Sequence, residues 1–197
     1  FDFLAPQLNA ELVCIDLAGH GRSSARNHLN AYSIGLDVAE LIAIADQLGW
    51  QTFTLLGHSR GAAIGFMLAA SFPLRIEKLI CLDGIFPLSA SPAQAPQQLH
   101  DSIMAVNKQR NRKPAFYTHF LAALKAREQS VFPVTHAAAL ALANWGVKQS
   151  HAGYSWRYDP KLHAPPQTRF TDEQIHAFAN HITADVFVLL AKQGLIV

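Results

Sequence analysis

The sequence predicts an α/β protein: a mostly parallel sheet, crossover helices and a helical insertion. Three observations carry this. Short apolar runs of strand length alternate with longer amphipathic patterns, as a parallel sheet with crossover connections requires. The run Gly57-His58-Ser59-Arg60-Gly61 joins one of those strands to a helix. Prolines cluster at 87, 92 and 96 and again at 160, 165 and 166, bracketing a middle portion of mainly helical pattern. With 197 residues, 50% of them hydrophobic, the chain has the apolar content for one domain-sized core.

Taken in order, residues 11–16 form an apolar run closed by Asp16 and followed by Gly19 and Gly21, and read as a strand. Ser33 caps a helix whose apolar positions Val38, Leu41, Ile42, Ala45 and Leu48 keep the 3.6-residue period, and Gly49 stops it. Residues 51–56 are the next strand, broken by Gly57. A helix follows over 60–72 and closes at Pro73. Gly57, Gly61 and Gly65, four residues apart, let that helix press close to the strands. Residues 78–82 are a third strand, ending at Asp83-Gly84. The span 86–168 shows helical patterns without convincing strands, among them the alanine-rich 136–145, and reads as a helical cap between two portions of the core, 1–85 and 169–197. Thr171-Asp172-Glu173-Gln174 is a capping box opening a further helix, and 185–190 is a fourth strand.

The Gly-x-Ser-x-Gly run carries the chemistry. A serine on a tight strand-to-helix turn sits in a strained backbone conformation, and side chains in place of the flanking glycines would collide with neighbouring backbone. Its Oγ is then exposed at a helix N-terminus, where the dipole favours developing negative charge. Ser59 is therefore the expected nucleophile, and the backbone N–H of Arg60 the expected donor to an oxyanion. Only the backbone of Arg60 is needed for that role.

A second motif, Asp16-Leu17-Ala18-Gly19-His20-Gly21-Arg22-Ser23, follows directly after the first strand. Together with the serine turn, it resembles the α/β-hydrolase superfamily, over nearly the whole chain. The resemblance implies an α/β-hydrolase fold in which Asp16, His20 and Arg22 hold a turn and its hydrogen bonds. The patterns at 153–162, 171–174 and 188–195 resemble the serine hydrolase-like branch. A serine nucleophile argues against haloalkane dehalogenases and epoxide hydrolases, which need a carboxylate.

A serine alkoxide needs a histidine base, oriented by a carboxylate. The superfamily's common pattern places that acid after the strand at 185–190, where this sequence has Gly194; Asp185 is at the strand's wrong end. The alternative position, the end of the preceding strand, holds Asp83, which is the expected acid. The resemblance places the histidine beyond a further strand, and the second oxyanion donor on a turn before Phe1. The expectation is thus an internal portion of a longer protein, truncated at both ends, with negligible turnover of its own. His58 is expected to shape a pocket floor or pack against the core.

The remaining observations exclude more than they assign. A net charge of +2 with 15% charged residues gives no case for nucleic acid or an anionic membrane. The basic run at 108–113 reads as a solvated helix end. No apolar stretch approaches the roughly 20 residues of a membrane span. The two cysteines, Cys14 and Cys81, lie in strand-like runs and read as buried free thiols in a reducing, cytoplasmic compartment. No histidine spacing suits a metal, His176 and His181 included, and no cofactor is expected. The expected partner is a small ester-like substrate, roofed by cap aromatics such as Phe116, Tyr117, Phe120, Trp145, Tyr154 and Trp156. Two other readings stand beside hydrolysis of an ester: a hydrolase-like small-molecule binding protein without catalysis, and a carbon–carbon bond hydrolase using the same triad.

Overall fold

A computed structural model describes residues 4–27 and 32–192. Among them the chain divides into two compact units, one from the residues up to Arg26 with Lys113–Asp159, the other from Asn27–Arg112 and Pro160 onward.

The second unit holds the parallel sheet. Helix α1 (Ile34–Gln47) starts at Ser33, whose side chain accepts the Leu36 N–H, and Gly49 beyond its end takes φ +73°. Strand β1 (Phe53–His58) leads to α2 (Arg60–Ser71), then to β2 (Ile76–Leu82), and after α3 (Ala95–Gln109) the chain returns through α6 (Asp172–Asn180) to β6 (Asp185–Leu189). The order is β1-β2-β6, all parallel, with β2 central. Helix α2 is the core of this unit: every residue from Ala62 to Ala70 is buried. Gly65 and the alanines let it lie close on the strands, and Ile64, Phe66 and Leu68 fill the core. A Cβ at Gly65 would come within 2.8 Å of a Leu79 methyl. Helix α6 opens with the predicted capping box of Thr171 and Gln174.

The first unit contains β3 (Phe116–Tyr117), α4 (Phe120–Glu128), α5 (His136–Gly146), β4 (Val147–Ser150) and β5 (Gly153–Trp156). Leu124, Ala139 and Ala143 form its buried centre, with Phe120, Val134, Val147 and Trp156 packed around them. The Trp156 indole N–H reaches the Ala123 carbonyl at 3.2 Å, which satisfies its one donor. The three strands form an antiparallel sheet, β3-β5-β4, where the sequence pattern showed only helices. They are two to four residues long, too short for an apolar alternation to mark them.

Three further expectations are corrected. Residues 11–16 form no ladder, because no strand among the described residues pairs with them; Leu12, Val13 and Ile15 are exposed. Cys14 shares that exposure and is not a buried thiol, whereas Cys81 on β2 is fully buried. Burial pushes the Cys81 thiol above its ordinary value. Iodoacetamide at pH 8 is expected to alkylate Cys14 within minutes and Cys81 only after denaturation; equal labelling of the native protein by peptide mapping would refute this. Finally, Gly57 does not break β1, which continues through it to His58; the break falls at Ser59. Gly194 lies outside the described residues.

Candidate active site

Ser59 stands between β1 and α2 with φ +51° and ψ −114°. Its N–H donates to the Leu82 carbonyl (2.9 Å), and its carbonyl accepts the N–H groups of Ala62 (3.0 Å) and Ala63 (3.2 Å). The backbone of the turn is thus tied both to the end of β2 and to the first turn of α2. The side chain behaves differently. A serine at a helix N-cap ordinarily accepts an amide of the first turn, but here it makes no capping bond. The residue is exposed, and its Oγ is left for other partners.

The glycines of the turn have separate reasons. A Cβ at Gly57 would overlap the backbone of Gly61 and lie 2.6 Å from the Ala62 nitrogen, so only glycine lets α2 start this close to β1. A Cβ at Gly61 would meet nothing within 4 Å among the described residues, so the steric argument does not extend to it. Gly84 was not singled out from sequence, yet a Cβ there would lie 2.9 Å from the Ser59 carbonyl oxygen. The Asp83-Gly84 turn is therefore seated against the serine turn.

Asp83 follows the last residue of β2 and takes φ +46°. Its N–H donates to Leu189 (2.8 Å) and its Oδ1 accepts the Ala191 N–H (3.2 Å), which fixes the carboxylate at the end of β6. Ser59 and Asp83 are the only non-glycine residues with positive φ among those described. Each such residue costs on the order of 1–3 kcal/mol and persists only where its surroundings over-determine it. Both stand at the C-terminal ends of adjacent parallel strands, where α/β sheets place their chemistry. None of the hydrogen bonds of Ser59 or Asp83 goes to a histidine among the described residues. His58 is exposed at the end of β1, so of its two expected places the packed core is ruled out.

Arg60 opens α2, so its N–H has no acceptor within the helix. Its side chain also has a partner that sequence reasoning missed. Asp37, in the first turn of α1 and 1% exposed, places Oδ2 2.6 Å from an Arg60 guanidinium nitrogen. The available signal was an acid between Leu36 and Val38 in an otherwise apolar stretch of helix.

The second motif is a turn, as its resemblance implies. The Asp16 carboxylate accepts the Arg22 N–H (2.9 Å), the Asp16 carbonyl accepts the Ser23 hydroxyl (2.6 Å), and His20 Nδ1 lies 3.2 Å from the Ala18 carbonyl. Gly19 and Gly21 both have positive φ. The turn is laced to the segment after β5: Gly21 N–H donates to Arg157, and Asp159 N–H to Gly19. The Arg22 guanidinium lies over the Trp145 ring, 5.7 Å from its centroid. Of the remaining aromatics, Phe120 and Trp156 pack within the small core of α4 and α5, and Tyr154 meets Phe120 edge-on. Two clefts, of about 480 and 240 Å³, lie at 118–120 with 149–154 and around Gln94, Gln98 and Pro165; Ser59 lines neither. No group of three or more potential ligands suits a metal among the described residues. No helix there is long and apolar enough to cross a membrane.

Comparison with known proteins decides the family. A family model described as alpha/beta hydrolase fold matches residues 1–181. The chain belongs to the α/β-hydrolase fold family. Its curated relatives include a serine hydrolase-like protein of Dictyostelium discoideum, 29% identical over 201 residues that make up 96% of this chain and 55% of the relative. A probable serine hydrolase of Drosophila melanogaster is 32% identical over 206 residues, 99% of this chain and 61% of that one. The chain thus spans little more than half the length of these relatives. Among solved structures, a hypothetical protein of Pseudomonas aeruginosa superposes with a TM-score of 0.85 at 34% identity, covering 90% of this chain and 63% of that one. The similarity to serine hydrolase-like proteins agrees with the patterns at 153–162, 171–174 and 188–195.

Proposed function

We propose that this chain carries the nucleophile, one oxyanion donor and the acid of a serine hydrolase acting on a small ester-like substrate. The observation that carries the reading is the pairing of strain with position: Ser59 and Asp83 alone among described non-glycine residues have positive φ, and they end neighbouring strands. The names of the relatives support hydrolysis, and the serine hydroxyl left uncapped supports nucleophilic attack.

In the proposed reaction the Ser59 hydroxyl gives its proton to a histidine base as Oγ bonds to the ester carbon. The carbonyl oxygen, now negative, accepts the Arg60 N–H. Collapse expels the alcohol with that proton and leaves an acyl-serine, which water attacks in the same manner to release the acid. Asp83 holds the imidazole in its working tautomer. The histidine and second oxyanion donor belong, on this reading, to parts of a longer protein outside these 197 residues, so this chain alone turns over negligibly.

A fluorophosphonate probe applied to the full-length protein tests the reading. Covalent labelling mapped to the peptide containing Ser59 is the expected result. A folded full-length protein that remains unlabelled there is instead a binding protein on the hydrolase fold.

A further inference from the structure

We propose that Asp37 is a positioning residue for the oxyanion donor: through its ion pair with the Arg60 side chain it fixes the first turn of α2, and with it the Arg60 amide. The inference rests on the hydrolase reading above and adds to it a residue from another helix.

The case begins with where the two charges stand. Asp37 lies in the first turn of α1, where a carboxylate is favoured by the helix dipole, and its N–H is bonded to the Ser33 carbonyl. Arg60 is different: its cation sits at the positive end of α2, where the dipole opposes it. Left alone, so long a side chain would turn to water. Instead it reaches a carboxylate that is 1% exposed, at 2.6 Å, while itself remaining 38% exposed. Desolvating an acid for such a pair adds little net stability, so stability is a weak reason for the arrangement.

Local geometry supplies a stronger one. Arg60 is flanked by Ser59, strained at φ +51°, and by Gly61, where an added Cβ would meet no other element within 4 Å among the described residues. Residues of α2 are buried from Ala62 onward, and the Gly61 backbone lies against Gly57 of β1. Around the Arg60 peptide, the Ser59 N–H bonds the Leu82 carbonyl and the Ala62 and Ala63 N–H groups bond the Ser59 carbonyl. The tie made by Arg60 itself is its side chain, paired with Asp37. An oxyanion donor acts only if it is oriented before the charge develops, so the anchor bears on the transition state and scarcely on substrate binding.

The test uses the full-length protein and an activated ester, with Asp37→Asn, Arg60→Gln and Arg60→Lys. Asp37→Asn and Arg60→Gln are expected to lower kcat by about 10- to 100-fold with KM within about twofold, since a misaimed donor costs less than a deleted one. They are also expected to speed amide hydrogen exchange at Ala62 and Ala63 by about tenfold while α6 keeps its protection. Arg60→Lys, which retains a cation within reach of Asp37, restores most of both. The Arg60 side chain is partly exposed, so Arg60→Gln folds even if Asp37→Asn does not. Wild-type kcat and wild-type exchange in Arg60→Gln would overturn the proposal. If the wild-type protein shows neither turnover nor labelling, the hydrolase reading falls, and the exchange comparison still decides whether Asp37 orders the turn.

Discussion

Replacing Ser59 by alanine in the full-length protein is expected to lower kcat/KM toward an activated ester by at least about a thousandfold, and to abolish fluorophosphonate labelling. The size follows from the proposed role. An oxyanion donor and bound substrate still accelerate the reaction slightly over water, but the covalent route is closed. The fold should be unaffected, because the side chain makes no capping bond and is exposed. Ser59→Gly should lose the same activity and gain about 1 kcal/mol of stability, since glycine occupies φ +51° without strain. Urea unfolding beside ester kinetics checks both halves. Retained activity in Ser59→Ala would remove the serine from the chemistry. A less stable Ser59→Gly would show that the turn is not strained.

Gly57→Ala is expected to destabilise the protein by about 3 kcal/mol or more, beyond the usual range for a single added methyl. The added Cβ would overlap Gly61 backbone and approach the Ala62 nitrogen to 2.6 Å, and backbone at the start of a buried helix cannot step aside as a side chain can. To relieve the overlap α2 would have to lift from β1, carrying Ser59 with it, so labelling should fall together with stability. Gly61→Ala should be milder by at least about 2 kcal/mol, because its Cβ enters open space among the described residues and alanine favours the helix by about 1 kcal/mol over glycine. Denaturant midpoints with unchanged slopes measure both. Equal losses at the two positions would mean that the turn, rather than the contact between helix and strand, sets the requirement for glycine.

These two glycines illustrate how far the sequence could be read. Gly57 and Gly61 look equivalent in the motif, and only the packing of α2 on β1 separates them. The parallel strands at 53–58, 76–82 and 185–189 were legible because each is an apolar run between turn signals. The segment 11–16 has the same pattern yet no ladder, since apolarity marks a strand's faces and cannot supply its hydrogen-bond partner. The small sheet of β3, β5 and β4 failed in the opposite sense: its strands are paired, but too short to announce themselves.

On the question of the serine, the amino-acid sequence by itself determined the strand-to-helix turn at Ser59, the family and Asp83 at the end of the next strand, because a tight strand-to-helix turn imposes its own local residue pattern. Tertiary structure alone decided that Asp83 shares the strained backbone expected of Ser59, that Gly84 must be glycine, and that Asp37 meets Arg60. Each of these depends on groups distant in sequence arriving at the same strand ends. No local pattern records such a meeting, because it is set by how α1, α2 and β2 pack.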